Sequence, residues 1–159
     1  MNYQLNESDK WNRQLDVDLV LDLYDPSLNG VKIDDDINSL NVLGKSDHVE
    51  LRERSYQYKA LGLTIVVKDL KIKEYHIIFR SFIERLEDMR GFKSFNGSVV
   101  FEGESLPIEV GKINQYLQEV EHWDDGVEKC YQFVRNGTSI ECIFDSHTSK
   151  PREIAIFRT

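Results

Sequence analysis

The sequence predicts an α+β fold of two tandem β-β-α-β-β-β repeats, in which antiparallel sheets carry short helices packed on one face. Three observations predict this class. Apolar residues alternate in several short segments, one segment has helical spacing, and the whole order of signals returns about 75 residues later. A period of this length is typical of duplicated small domains. We therefore divide the chain into a polar N-terminal segment (1–15), a first repeat (16–80), a connector (81–97) and a second repeat (98–159).

The first repeat begins with a strand, because apolar residues alternate with mostly acidic ones from Asp16 onward; the apolar set is Val17, Leu19, Leu21 and Leu23. Turn residues fill 25–30, and 31–33 returns as a second strand. Asp34–Asp36 then occupy the start of a predicted helix, where the helix dipole favours anions. That helix has apolar residues at Ile37, Leu40 and Leu43 and ends at Gly44.

The rest of the repeat returns to strand patterning, with three strands in 55–79 and a turn at Gly62. The second copy carries matching residues. Ile37, Leu40 and Leu43 correspond to Val110, Ile113 and Tyr116, and Tyr56, Tyr58, Gly62, Ile65 and Val67 correspond to Tyr131, Phe133, Gly137, Ile140 and Cys142. Between the copies, Ser81 and Glu84 have capping-box spacing, which favours a helix in the connector; a loop is the alternative.

The sequence predicts a hairpin that turns at Asn136-Gly137 and contains both cysteines. Its register places Cys142 opposite Tyr131, so Cys130 and Cys142 project from opposite faces and are expected to be free thiols. The aromatic strand residues share a face with aliphatic ones, which predicts a core face and not a base-stacking platform. The other face is polar and aliphatic and suits protein binding; it carries Gln57, Lys59, Thr64, Val66, Lys68, Gln132, Val134, Ser139 and Glu141.

Composition restricts the partners that the chain can bind. The formal net charge is −8, from 20 basic and 28 acidic residues. Phosphate backbones and anionic membranes require a basic face, so neither nucleic acid nor a membrane surface is an expected partner. The first 15 residues have no apolar run, which favours a cytoplasmic protein. The acidic balance suits either a basic protein partner or solubility alone.

Motifs for catalysis are lacking in the sequence. Gly44-Lys45-Ser46 follows a predicted helix instead of preceding one, unlike a phosphate-binding loop. The four histidines have no zinc spacing, and no serine lies in a nucleophile elbow. Asp34–Asp36 lack the spacing of a calcium loop, so helix capping is the simpler interpretation. We expect no enzyme activity, no cofactor and no metal.

The segment 119–126 is the most distinctive surface candidate, because it places an indole among acidic residues. A tryptophan with a charged rim suits a protein interface, although Trp123 could instead cover the core. The predicted partner-binding residues are Asp34, Asp35, Asp36, Glu121, Trp123, Asp124 and Asp125.

The duplicated pattern, with a short helix ending at Leu43-Gly44-Lys45 and Tyr-x-Tyr or Tyr-x-Phe before a glycine hairpin, resembles tandem-repeat proteins of bacterial toxin loci, usually regarded as immunity proteins. In plan it is similar to the β-lactamase inhibitory proteins, although it lacks their export signal and disulfides. The resemblance implies a cytoplasmic protein that neutralises a basic toxin or effector domain by stoichiometric binding. A structural or adaptor module is the alternative.

Overall fold

The structure is a computed structural model that describes residues 7–12, 17–50, 54–79 and 91–159. Of these residues, 47% lie in strands and 13% in short helical turns. The predicted α+β class with two tandem β-β-α-β-β-β repeats is therefore wrong, and the protein is mostly β. The predicted layer of helices is absent from the described residues, because the helical spacing in the sequence belongs to turns too short to form one.

Thirteen strands lie within the described ranges. Their bounds in chain order are β1 (Val20–Asp22), β2 (Ser27–Leu28), β3 (Val31–Lys32), β4 (His48–Glu50), β5 (Ser55–Tyr58), β6 (Leu63–Lys68), β7 (Lys71–Ile78), β8 (Ser98–Phe101), β9 (Glu104–Ser105), β10 (Glu119–Asp124), β11 (Glu128–Arg135), β12 (Thr138–Asp145) and β13 (Pro151–Arg158).

Eight of these strands form one antiparallel sheet in the order β10-β11-β12-β13-β7-β6-β5-β4. It contains two meanders of consecutive strands, which meet where β13 pairs with β7 and Ile156 lies opposite Tyr75. The segments 16–80 and 98–159 thus share one continuous sheet. The hairpin at Asn136-Gly137 has the predicted register, with Tyr131 opposite Cys142, and both of its turn residues have positive φ.

The other sheet has five short strands in the order β3-β2-β1-β8-β9. Strand β1 pairs with β8 in parallel, so Leu21 lies opposite Val99, and this sheet also joins residues from both segments. Gly97 precedes β8 and approaches the backbone just before β1 so closely that an added Cβ would lie 2.4 Å from the Leu19 carbonyl oxygen.

A single buried cluster contains residues from both sheets and from the helical turn 37–43. The predicted core face of the large sheet is confirmed: Tyr56, Tyr58, Ile65, Val67, Phe133, Ile140 and Cys142 are buried, and Tyr131 packs against them. Rows of side chains cross the sheet on this face, one of which is Tyr56, Ile65, Tyr75, Ile156, Ile140 and Phe133.

Helical structure among the described residues consists of 3₁₀ turns at Glu7–Lys10, Ile37–Leu43, Lys59–Leu61 and Ile113–Gln115. Helices were predicted at the second and fourth of these. The apolar positions of the first predicted helix are buried, and Asp36 caps it as expected, but Leu40 departs from helical geometry. Asn and Ser between these apolar positions favour turns over helix interiors. In the second segment, Gly111 has φ +84°, so no helix can begin at Val110.

Both flanking segments pack onto the fold where they are described. In the N-terminal segment, Ser8 is buried and its hydroxyl lies 3.0 Å from that of Ser46, while the Trp11 indole donates to Asn38 Oδ1. In the connector, Phe92 and Phe95 are buried, and the Phe95 amide donates to the Ile78 carbonyl. The capping-box residues of the connector lie outside the described residues.

Candidate protein-binding surface

Strand β10 forms one end of the eight-stranded sheet and, within the described part of the chain, pairs with β11 alone. Every residue from Val120 to Asp124 is exposed. Glu119 lies opposite Phe133 and Glu121 opposite Gln132, so Val120 is the extra residue of a β-bulge. We call the exposed segment Val120–Val127 the β10 edge.

Trp123 is 45% exposed at the centre of this edge. It lies opposite Cys130, which alternates with the core residues Tyr131 and Phe133, so Trp123 is on the sheet face that points away from the core. The alternative that Trp123 covers the core is wrong. Two further apolar side chains of the β10 edge, Val120 and Val127, are about half exposed, at 55% and 49%.

Two acidic residues fix the turn that follows β10. Asp124 Oδ1 accepts from the Ser146 hydroxyl at 2.6 Å and from the Gly126 amide at 2.9 Å. Asp125 Oδ1 accepts from the amides of Val127 and Glu128. These bonds lower the pKa of both carboxyls, the Ser146 hydroxyl contributing most for Asp124 and the Glu128 amide for Asp125. The turn therefore presents two ionised carboxylates beside Trp123.

His122 contacts its neighbours on the face of β10 opposite to Trp123. Its imidazole stacks on Tyr131 with ring centroids 5.8 Å apart, and its Nδ1 lies 3.0 Å from Glu119 Oε1. Asn114 Nδ2 donates to the other oxygen of Glu119. These contacts anchor the strand while Glu121 and Trp123 stay exposed on the opposite face.

The predicted site residues Asp34, Asp35 and Asp36 lie elsewhere and have partners inside the chain. Asp34 is paired with Lys73 at 2.6 Å and with Arg158, and these bonds, that of Lys73 foremost, lower its pKa. Asp35 accepts from the Lys32 amide, and Asp36 accepts from the Asn38 amide. Asp34 thus joins the middle strands of the large sheet, while β10 lies three strands from β13. The structure does not bring the two predicted groups together.

A second charged group, absent from the predicted site, lies on the non-core face of the large sheet. His76 Nδ1 is 2.8 Å from Glu153 Oε1, and its Nε2 is 3.4 Å from Glu74 Oε2. Burial acts to lower the pKa of His76, but the hydrogen bonds and charges of the two carboxylates outweigh it and raise the pKa to about 9. Glu141 lies in β12, which pairs with β13, and burial is the main cause that raises its pKa. Sequence reasoning missed this group because it depends on the pairing of β7 with β13.

A group of aromatic residues, of which Tyr24 and Tyr116 are exposed, meets at Arg135. Its guanidinium lies 4.0 Å from the ring centre of Tyr24 and 5.4 Å from that of Phe101, and its Nε donates to the Tyr24 carbonyl. Phe101 in turn contacts Tyr116 at 5.7 Å. These residues come from both sheets and from a helical turn, so the cluster joins the two sheets.

Other kinds of site find little support. Among the described residues, no group of three or more His, Cys, Asp and Glu side chains could hold a metal ion. Cys130 and Cys142 are free and buried, and burial raises the pKa of both thiols, that of Cys130 to about 12. No helical segment in the described ranges is long and apolar enough to cross a membrane.

Comparison with known proteins gives no further guide: no family model, curated protein or solved structure matches this chain.

Proposed function

We propose that this protein binds a basic protein partner through the β10 edge. The single observation that carries the proposal is the exposure of Trp123 on an end strand, next to the carboxylates of Glu121, Asp124 and Asp125. Tryptophan anchors surrounded by polar residues contribute much of the binding free energy at protein interfaces.

The apolar part of this contact is large enough to contribute to the binding free energy. Burying the exposed part of the Trp123 side chain would remove on the order of 100 Å² of apolar surface from water, which contributes about 2.5 kcal/mol. Val120 and Val127 extend the apolar area on either side. This is a sufficient anchor for an interface in which the surrounding carboxylates supply specificity.

The charge of the surface selects the partner. The chain has a formal net charge of −8, and the β10 edge adds local carboxylates that the following turn holds in place. Complementary charge speeds the encounter with a basic protein and opposes acidic competitors. Because these charges are exposed, the association rate should fall as the salt concentration rises.

We further propose that the partner is a bacterial toxin or effector domain, which this protein neutralises in the cytoplasm by stoichiometric binding, as an immunity protein. The acidic, Trp-centred surface supports this hypothesis because it suits a basic active domain such as a nuclease. Covering the substrate entrance of such a domain requires binding alone and no chemistry from the inhibitor.

The test is capture from the native lysate with the tagged protein, followed by titration of the purified partner against its own activity. The proposal expects one basic protein at near-equal stoichiometry, whose activity ends at one equivalent of the wild type. Trp123→Ala should weaken binding by tenfold or more, while Leu70→Ala, a matched exposed residue in the turn between β6 and β7, should leave it unchanged.

Two results would contradict parts of this proposal. An acidic partner, or equal binding by the Trp123→Ala variant, would remove the β10 edge as the binding surface. A basic partner that binds through Trp123 but has no toxic activity would remove the immunity role and favour an adaptor that uses the same surface.

A further inference from the structure

The β10 edge has an open backbone as well as exposed side chains. In the described residues β10 pairs on one side only, so the amide and carbonyl groups on its outer side have no strand beside them. An extended peptide can hydrogen-bond to such an edge and continue the sheet. Strand β10 has six residues, whereas β3 and β9, which end the small sheet, have two each. It therefore offers much the longer template of these three edges.

Charge decides which strand can occupy this position. A second copy of the chain would bring its own Glu121, Asp124 and Asp125 against the same residues, and like charges on neighbouring strands are destabilising. Edge charges and bulges are also the means by which natural sheets avoid pairing with themselves, and β10 has both. A basic strand would bring charges of the opposite sign to this edge.

Side chains on the added strand would alternate between the two faces of the sheet. On the non-core face they would lie beside Glu121 and Trp123, where a carboxylate and an indole both favour Lys or Arg. On the other face they would lie beside His122 and Asp124. The surface thus fits an extended segment with cationic residues at every second position.

We propose that β10 accepts an extended basic segment of the partner as an additional strand of the eight-stranded sheet. This inference rests on the proposed function for the identity of the partner, and it specifies how the partner is bound. Backbone hydrogen bonds would supply affinity, and the alternating basic residues would supply specificity.

The test uses a blocked peptide of four Lys-Val repeats and the complete protein. Its binding is followed by tryptophan fluorescence, and hydrogen exchange of the β10 amides is followed by NMR. The proposal expects saturable binding and at least tenfold slower exchange for amides within β10. A peptide of four Lys-Pro repeats has the same charge but a backbone unsuited to pairing, and a peptide of four Glu-Val repeats has the opposite charge; both should bind at least tenfold more weakly.

A variant tests how much the charge of β10 contributes to this binding. Glu121→Lys changes an exposed residue of β10 and should weaken binding of the Lys-Val peptide by roughly threefold to tenfold. Leu70→Ala should have no effect on it.

Three results would overturn the inference: equal binding of the Lys-Val and Lys-Pro peptides, binding without slower exchange in β10, or slower exchange in β10 when the protein alone is concentrated, which would identify a second copy as the occupant. Each would leave the proposed function standing if the natural partner still requires Trp123. Loss of that requirement would contradict the proposed function without changing the peptide result.

Discussion

Replacing His76 by Gln removes a positive charge between two carboxylates while keeping a polar side chain of similar size. His76 is 28% exposed and contacts Glu153 and Glu74, whose side chains are 23% and 38% exposed. The pKa of His76 rises from its ordinary 6.5 to about 9 in the folded protein. That rise corresponds to at most about 3 kcal/mol of folding free energy, and solvent screening of the partly exposed pair reduces it to about 1–2 kcal/mol.

The sign of the pH dependence follows from the direction of this shift. Because the folded pKa lies above the unfolded value, the contribution of His76 is complete below about pH 6.5 and disappears as the pH rises through about 9. His76→Gln should therefore reduce the free energy of unfolding by about 1–2 kcal/mol at pH 6 and by less than about 0.5 kcal/mol at pH 9.5.

Urea denaturation of both proteins at the two pH values, followed by far-UV circular dichroism, measures these differences. The same substitution at the exposed His147 is a control for the loss of an imidazole and should change the free energy of unfolding by less than about 0.5 kcal/mol at pH 6. An equal loss at pH 6 and pH 9.5 for His76→Gln would refute the reasoning, because it would assign the effect to packing and not to the charged pair.

Two other predictions concern the turns and the thiols. Gly62→Ala should reduce the free energy of unfolding by about 3–4 kcal/mol in urea titrations, because its Cβ would lie 2.5 Å from both the Lys93 carbonyl oxygen and the Phe95 amide nitrogen. Gly137→Ala, also at positive φ but with open space, should cost about 1 kcal/mol; equal losses would contradict this account of Gly62. Cys130 and Cys142 should react with a thiol reagent at pH 8 at least a hundredfold more slowly in the folded protein than in urea, because burial raises the pKa of both; rapid native labelling would contradict this.

Short-range patterns in the sequence correctly predicted the features that depend on neighbouring residues. The Asn136-Gly137 turn set the register of β11 and β12, and that register placed Cys142 opposite Tyr131. Period-two alternation also identified the core face correctly, because alternate strand residues point to opposite sides of a sheet. The position of Ile37 and Leu43 in a capped helical turn was right as well.

The fold class could not be obtained in the same way, because it depends on pairings between distant segments. Nothing near Val20 indicates that β1 runs parallel to β8, and nothing near Ile156 indicates that β13 lies beside β7. Helical spacing over a few residues is also satisfied by a 3₁₀ turn, so this spacing alone overstated the helical content.

The candidate site, like the fold, depends on contacts between residues that are distant in the sequence. The acidic run Asp34–Asp36 looked available for a partner, but Asp34 is paired with Arg158, which is 124 residues away in the sequence. The sequence places the Trp123 indole among acidic residues, but this pattern does not decide between core and surface. Its exposure follows from the position of β10 at the end of the sheet, which is a property of the whole strand order.

The measurement that tests the central claim most directly is hydrogen–deuterium exchange of this protein with and without the captured basic partner. The account predicts that binding slows exchange chiefly in 119–128, which contains β10 and the following turn, and that Trp123→Ala removes this protection together with the binding. Protection confined to another surface, such as the Arg135 cluster of Tyr24, Phe101 and Tyr116, would contradict it.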